Sequence, residues 1–346
     1  MPRQAPNRRE FLKACAAMGL AAAAFPICPG PALALTRQEQ ARIATATRAL
    51  MGTFVSISVV HPSQDFCEEA LERGFARMAE LIRVFDRFDA ASPLSVLNDQ
   101  GVLHGAPPEL TGLLGRAREQ HEISQGAFDP SVKPLLDLFA SRAATDPEVR
   151  VDDRELDEVL PLVDLSALRL SASTLELGKK GMGLTLDGLA KGHIVDAASA
   201  ALLEMGAENH LVNAGGDIRA SGGRSALRPW AIAVQNPGSE ATPFTDVIRL
   251  RNGALATSGG YEVWFGENRL THHIVDPRTG RSPLRLSSAT VRAANVADAD
   301  ALSTALFVSP PGQGLKLIDT LPGVEGLLLT ANGSRLASHG WNTKRT

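Results

Sequence analysis

Leu211-Val212-Asn213-Ala214-Gly215-Gly216-Asp217-Ile218-Arg219-Ala220 reads as two short strands joined by a glycine turn. Gly-Gly-Asp between apolar pairs is ordinary hairpin chemistry, since glycine reaches the backbone angles that a tight turn demands. The same turn could instead bring N–H groups close to a phosphate, and these ten residues leave both readings open. Upstream, residues 191–205 form a helix that buries Ile194, Ala198, Ala201, Leu202 and Met205. Downstream the chain stays strand-rich, with candidates at residues 230–234, 247–250, 254–257, 289–292 and 324–330. A helix interrupts them at residues 297–308.

Further towards the N-terminus, residues 53–59 alternate polar and apolar side chains, the pattern of a half-buried strand. Ser63 then fits a helix N-cap, followed by the acids Asp65, Glu68 and Glu69. Its helix carries Leu71, Phe75, Met78, Ile82 and Phe85 on one stripe. Residues 108–124 form another, with Leu110, Leu113, Leu114 and Ala117 inward. Helices and strands do not alternate as a doubly wound parallel sheet requires. The expectation is an α+β fold of mostly antiparallel sheets packed with helices, a two-lobed single unit. The acidic residues 145–158 are expected as a surface excursion between its halves.

Composition narrows the function classes. The 346 residues are 44% hydrophobic and 21% charged, with a formal net charge of -3, as in ordinary globular proteins. That balance lacks the basic face of a nucleic-acid protein, and 5% aromatic residues leave little for base stacking. Beyond residue 30 no apolar run reaches the roughly 18 residues that a spanning helix needs.

Residues 1–34 read as an address. Arg8-Arg9 with Phe11-Leu12-Lys13 precedes an apolar, small-residue run, a Pro/Gly break and Ala32-Leu33-Ala34. A charged start, an apolar middle and an A-x-A site make a secretory signal, and the paired arginines match the twin-arginine export motif. Cys15 and Cys28 would leave with it, and Phe25-Pro26-Ile27 before Cys28 is a poor lipoprotein box. Cys67 then stands alone and no intramolecular disulfide can form. The expectation is a periplasmic protein whose domain runs over residues 35–346.

Six segments hold more Gly, Asp, Thr and His than folding needs: residues 126–130, 186–192, 213–217, 256–260, 271–280 and 299–304. In the last, Asp300 and Thr304 are four apart and share one helix face. A carboxylate with a hydroxyl suits Mg²⁺, which prefers oxygen and shares its shell with substrate phosphates. Alternatively Thr304 back-bonds to the Asp300 carbonyl while Asp300 is a solvated acid, and the pair alone favours that reading. Lys191 opens a helix, where negative charge is welcome and a cation would add to the attraction. No P-loop or dinucleotide fingerprint is present. His272 and His273 are adjacent, so on a strand they face opposite ways, one packing and the other free to act as a general base. Ser258 lacks the frame of a nucleophile elbow.

In order along the chain, these segments resemble the ApbE family of FAD:protein FMN transferases. The resemblance begins with Met51-Gly52-Thr53 and continues through Phe88 to Asn98, with Ser92, Ser95, Leu97 and Asn98 in one element. Gly126-Ala127-Phe128-Asp129 with Pro134-Leu135, Ala190-Lys191-Gly192 with Asp196, and residues 212–218 come next. Ala256-Thr257-Ser258-Gly259, residues 273–280, and Ala299-Asp300 to Thr304 complete it. Any one segment is weak, but eight in register are specific.

The resemblance implies an enzyme that binds FAD with Mg²⁺, joins the FMN half to a Thr or Ser hydroxyl of an acceptor flavoprotein, and releases AMP. It implies an FAD site of Met51, Ala127, Phe128, Asp129, Thr185, Lys191 and Val275. Asp300 and Thr304, with a backbone oxygen at Gly188, would hold the metal. His273 is the first choice for the general base and Asp276 the second. The acceptor implied is a membrane respiratory or electron-transfer subunit, and the twin-arginine translocon is the partner during export. The rivals are FAD pyrophosphatase activity and a flavin-binding assembly factor without chemistry. One departure stands out: Thr185 occupies the usual acid position, and an acid appears two residues later at Asp187. Ser131 at a frequent Thr position is a milder change.

Overall fold

The computed structural model describes residues 42–341 except 226 and 239–241; the proposed signal, residues 1–34, lies outside the described residues. The chain opens with β1 (Arg42–Leu50), β2 (Thr53–His61), α1 (Gln64–Phe85) and α2 (Pro93–Gln100). Next come β3 (Val102–His104), α3 (Pro108–Ile123), α4 (Lys133–Ala143), α5 (Asp153–Val159), β4 (Leu168–Leu170) and β5 (Thr174–Leu177). The second half holds α6 (Ala190–Glu204), β6 (His210–Ala214), β7 (Asp217–Ser221), β8 (Trp230–Gln235), β9 (Phe244–Leu250) and β10 (Gly253–Ser258). β11 (Leu286–Ala293), α7 (Val296–Val308), α8 (Pro311–Thr320), β12 (Glu325–Thr330) and β13 (Arg335–Ala337) finish it.

Eight strands form one sheet in the order β1-β2-β6-β7-β10-β11-β12-β13, and every neighbouring pair is antiparallel. The α+β expectation therefore matches. The β6–β7 register pairs Ala214 with Asp217 around Gly215-Gly216, the hairpin that the residues announced. β3, β5 and β4 make a separate small sheet, and β8–β9 a ribbon.

Burial explains the layering. Val55, Ile57 and Val59 alternate inward on β2 and meet Phe75 and Met78 of α1 and Ile194, Ala198 and Leu202 of α6 in the main core. α7 is buried nearly all round, as a helix sandwiched between layers must be. On the other face Trp230, Ile232, Ile248 and Leu250 of the ribbon cover Ile218, Ala220 and Leu255. Ser63 caps α1, its Oγ accepting the Phe66 N–H at 3.2 Å. Ile82 keeps its place on the expected stripe, partly buried against the main core while also lining a cavity, and Leu81 is buried beside it.

Residues 145–158 are more than an excursion. Asp152 and Glu155 form a reciprocal capping box that starts α5. Leu156 and Val149 then pack with Leu135, Leu136, Phe139 and Val275 in a satellite core. An acidic composition concealed that pair of buried anchors.

Candidate active site

Loops and helix ends surround a cavity of about 1150 Å³, ample for a dinucleotide-sized ligand. Met51, held at φ 52° in the β1–β2 turn, closes one end. Ala127, Phe128 and Asp129 form a second wall after α3. Ser124 Oγ accepts the Phe128 N–H at 3.0 Å, and the Phe128 carbonyl faces His121 Nδ1 at 3.0 Å. Asp129 Oδ1 accepts the N–H of Ser131 at 2.7 Å and its hydroxyl at 2.5 Å. Serine thus supplies the hydroxyl that the family pattern usually takes from threonine. Burial pushes the Asp129 carboxyl up, against those bonds and nearby His121.

The turn before α6 brings Thr185, Gly188 and Lys191 to the same cavity. Asp187 lines the cavity as well, and its Oδ2 accepts the Arg87 Nε–H at 2.8 Å, tying this turn to the loop that follows α1. Thr185 Oγ1 accepts the Asp187 N–H at 3.3 Å.

Asp300 is 5% exposed, so it is no solvated surface acid. Its Oδ2 accepts the Gly192 N–H at 3.1 Å. Thr304 does not back-bond to Asp300; Ser303 Oγ does, at 2.9 Å, leaving Thr304 Oγ1 beside Ser258 Oγ at 3.2 Å. Both halves of the alternative reading of this pair therefore fail. A Cβ at Gly188 would stand 2.9 Å from Thr304 Oγ1, so only glycine lets this backbone run beside that hydroxyl. Carboxylate, hydroxyl and nearby backbone make an all-oxygen donor set, the chemistry that Mg²⁺ takes. Among the described residues, no group of three or more His, Cys, Asp or Glu forms a cage of its own. A Mg²⁺ ion would therefore complete its shell with substrate oxygens and water.

Lys191 Nζ lies 3.3 Å from Asp217 Oδ2 in an ion pair without hydrogen-bond alignment. Burial would lower the Lys191 ammonium, but Asp217, Asp300 and Glu262 outweigh it and hold it above the ordinary lysine range. Asp217 itself is 1% exposed. It sits in the segment that the sequence reading singled out, though without a role.

The two histidines separate as their adjacency predicts. His272 is buried, its Nε2 facing the Pro283 carbonyl at 3.0 Å and its ring edge-on to Phe307. His273 lines the cavity beside Val275. Its Nδ1 lies 3.1 Å from the Val263 carbonyl, which only accepts, so Nδ1 carries the proton and Nε2 keeps a free lone pair. Burial lowers the His273 pKa. Asp276 does not reach the cavity lining. Its two oxygens accept from Arg278 Nε at 2.8 Å and Nη2 at 3.1 Å, so the second choice for the base is withdrawn.

Phe88, which opens a segment of the resemblance but was given no role there, stands 80% exposed at the cavity rim with the Arg87 guanidinium 4.1 Å from its ring centre. Its signal was an aromatic residue just past a helix end, where packing requires none.

The ApbE family model matches residues 51–328. The chain belongs to the ApbE family. A FAD:protein FMN transferase of Haemophilus influenzae is 32% identical over 216 residues, covering 60% of this chain and 62% of that protein. One from Treponema pallidum is 30% identical over 333 residues, covering 87% and 89%. The match thus spans about three fifths of the Haemophilus relative and nearly all of the Treponema one. The crystal structure of the ApbE protein of Thermotoga maritima superposes with a TM-score of 0.78 at 30% identity, covering 86% of this chain and 97% of that one. The flavin transferase ApbE of Vibrio cholerae, at 24% identity and a TM-score of 0.75, shares the fold.

Proposed function

We propose that this ApbE-family protein transfers the FMN moiety of FAD to a Thr or Ser hydroxyl of an acceptor flavoprotein and releases AMP. The observation that carries the reading is convergence in one cavity of Lys191, the Asp300–Thr304–Gly188 oxygen set and the free Nε2 of His273. The named activity of the Haemophilus and Treponema relatives supports it.

The acceptor oxygen bonds to the FMN-side phosphorus, and the phosphorus–oxygen bond to AMP breaks with its electron pair leaving on AMP. The acceptor proton passes to His273 Nε2, whose tautomer is fixed by the Val263 carbonyl. Lys191 sets a positive charge beside the diphosphate, and Asp217 holds that ammonium in place. Phe88 and Met51 offer apolar surface at the rim for a flavin ring. Asp300, Thr304 and the Gly188 backbone would hold Mg²⁺, which when bound orients the diphosphate and offsets charge on its oxygens.

The reading includes periplasmic residence after twin-arginine export, supported by Arg8-Arg9, the apolar run and Ala32-Leu33-Ala34. It takes a membrane respiratory or electron-transfer subunit as acceptor. Arg8→Lys with Arg9→Lys should leave precursor in the cytoplasm, and normal periplasmic accumulation would exclude this route. Incubation with FAD, Mg²⁺ and candidate acceptors, followed by mass measurement, tests the chemistry. An acceptor heavier by one FMN, with one AMP released per transfer, is expected. AMP with FMN and no acceptor gain would make the protein a pyrophosphatase; bound, unreacted FAD would make it a carrier.

A further inference from the structure

The first turn of α7 presents three N–H groups, those of Val296, Ala297 and Asp298, and two of them are met by a distant residue. Such donors have no intrahelical acceptor. Asn295, the local N-cap, takes one: its Oδ1 accepts from Asp298 N at 2.9 Å, while its carbonyl accepts the first intrahelical bond, from Ala299 N at 3.3 Å. The other two go to Asp196 on α6. Its Oδ1 and Oδ2 accept from Val296 N at 3.0 and 2.9 Å, and Oδ2 also accepts from Ala297 N at 2.9 Å.

Val296 and Ala297 are 0% exposed, so no bulk solvent stands ready to replace that carboxylate. Arg219 of β7 reinforces the grip, since its guanidinium bonds the Ala294 carbonyl and lies 3.9 Å from Asp196 Oδ1. The two helices touch backbone to backbone just here. A Cβ on Gly192 would stand 2.6 Å from the Val296 carbonyl oxygen.

α6 begins at Ala190 and carries Lys191, while α7 carries Asp300 and Thr304 one to two turns past the gripped end. Lateral or rotational slip of α7 against α6 would therefore move the carboxylate and hydroxyl relative to both Lys191 and the Gly188 turn. We propose that Asp196 is a positioning residue for the metal-holding face of α7, setting the spacing between Asp300–Thr304 and the Lys191 end of α6. The proposal rests on the reading of Asp300 and Thr304 as metal-holding. A carboxylate suits the task because it offers two acceptor oxygens and a negative charge at a helix N-terminus. An amide of the same shape offers one acceptor and turns an N–H₂ towards the other donor.

The test uses Mn²⁺ as the probe, with binding to the FAD-loaded full chain followed by the electron paramagnetic resonance of free Mn²⁺. Asp196→Asn should weaken Mn²⁺ binding roughly 10–100-fold, the range for losing a residue that orients a ligand from behind. Amide hydrogens of residues 296 and 297 should exchange faster in the same variant. Ser199→Ala is the control: it lies on α6, bonds buried His210 at 2.7 Å, and has no contact of this kind with α7. It should lose stability but leave Mn²⁺ affinity little changed.

Equal weakening in both variants would reduce Asp196 to a general stabiliser, and unchanged affinity in Asp196→Asn would overturn the proposal. Should Asp196→Asn fail to fold, Arg219→Gln removes the second grip from an outward side chain and should weaken Mn²⁺ in the same direction; no change there would also overturn it. A wild-type chain that binds FAD but no Mn²⁺ fails differently, because that removes the metal reading itself and leaves nothing for Asp196 to position.

Discussion

The two sides of the cavity are built on different principles. On one side α6 and α7 are packed backbone against backbone: Asp300 accepts the Gly192 N–H, Asp196 takes the first N–H groups of α7, and Asp217 is buried beside Lys191. On the other, Tyr261, Val263, Trp264 and Leu270 of residues 261–273 are exposed. There His273 is held mainly by one carbonyl, that of Val263, which its ring and its backbone N–H share at 3.1 Å each. Under the proposed function, the buried side would face a diphosphate of fixed shape and the open side a polypeptide that must arrive, react and leave. Rigid preorganisation and access are thus placed on opposite walls.

The largest effect should come from the buried wall. Asp300→Ala should lower FMN transfer by about 10³-fold or more, since it removes several kcal/mol of metal-borne charge stabilisation. EDTA should do the same to the wild type. Acceptor mass gain measured with and without EDTA checks this, and undiminished turnover in EDTA would show that the buried wall holds no essential ion.

On the open wall, His273→Asn should slow transfer roughly 10²–10⁴-fold while FAD affinity stays near wild type. Flavin fluorescence quenching together with single-turnover rates separates the two. If FAD binding and rate fall in equal proportion, His273 is a binding residue and the contrast between the walls is lost.

The pH profile sharpens the same point. Burial disfavours the His273 imidazolium, so its pKa falls below the ordinary 6.5. The neutral base then survives to lower pH, and the acid limb of kcat/KM should lie below 6.5. The linked stability has the matching sign: a histidine with a lowered folded pKa costs stability as pH falls through its unfolded value. An acid limb above 6.5 that vanishes in His273→Asn would contradict the burial argument.

Smaller effects should fall on folding. Gly192→Ala would press a methyl against the Val296 carbonyl and should cost about 1–3 kcal/mol, read as a lower midpoint in urea. His272→Asn should also act on stability more than on rate, because the ring packs on Phe307 and meets the Pro283 carbonyl. A loss of about 1–3 kcal/mol is expected for a buried hydrogen-bonding group replaced by a shorter one. The adjacent histidines would then separate experimentally, one by rate and one by denaturation. Similar behaviour of both would erase the distinction between a packing and a reacting imidazole.

Much of this was legible without coordinates wherever the determining forces are local. The Ser63 cap, the apolar stripe of α1 and the Gly215-Gly216 hairpin follow from side-chain period and turn chemistry within a dozen residues. Asp300 and Thr304 share a helix face for the same reason, and order along the chain carried the family resemblance. Short elements were less visible. α2 starts at Ser92-Pro93 and α5 at an acidic capping box, yet each is too brief for periodicity to reveal.

Tertiary structure alone decided what depends on partners far apart in the chain. Asp187 pairs with Arg87, 100 residues earlier, and Thr304 Oγ1 lies beside Ser258 Oγ, 46 residues earlier. The strand order, in which β2 sits beside β6 and β7 beside β10, likewise has no local signature. Asp196 is the clearest case: its sequence neighbours mark it as one more helical acid, and only the crossing of α6 and α7 gives it two N–H groups about a hundred residues away. Local propensity is summed over neighbours, whereas a buried donor accepts whichever oxygen the packing of layers brings within 3 Å of it.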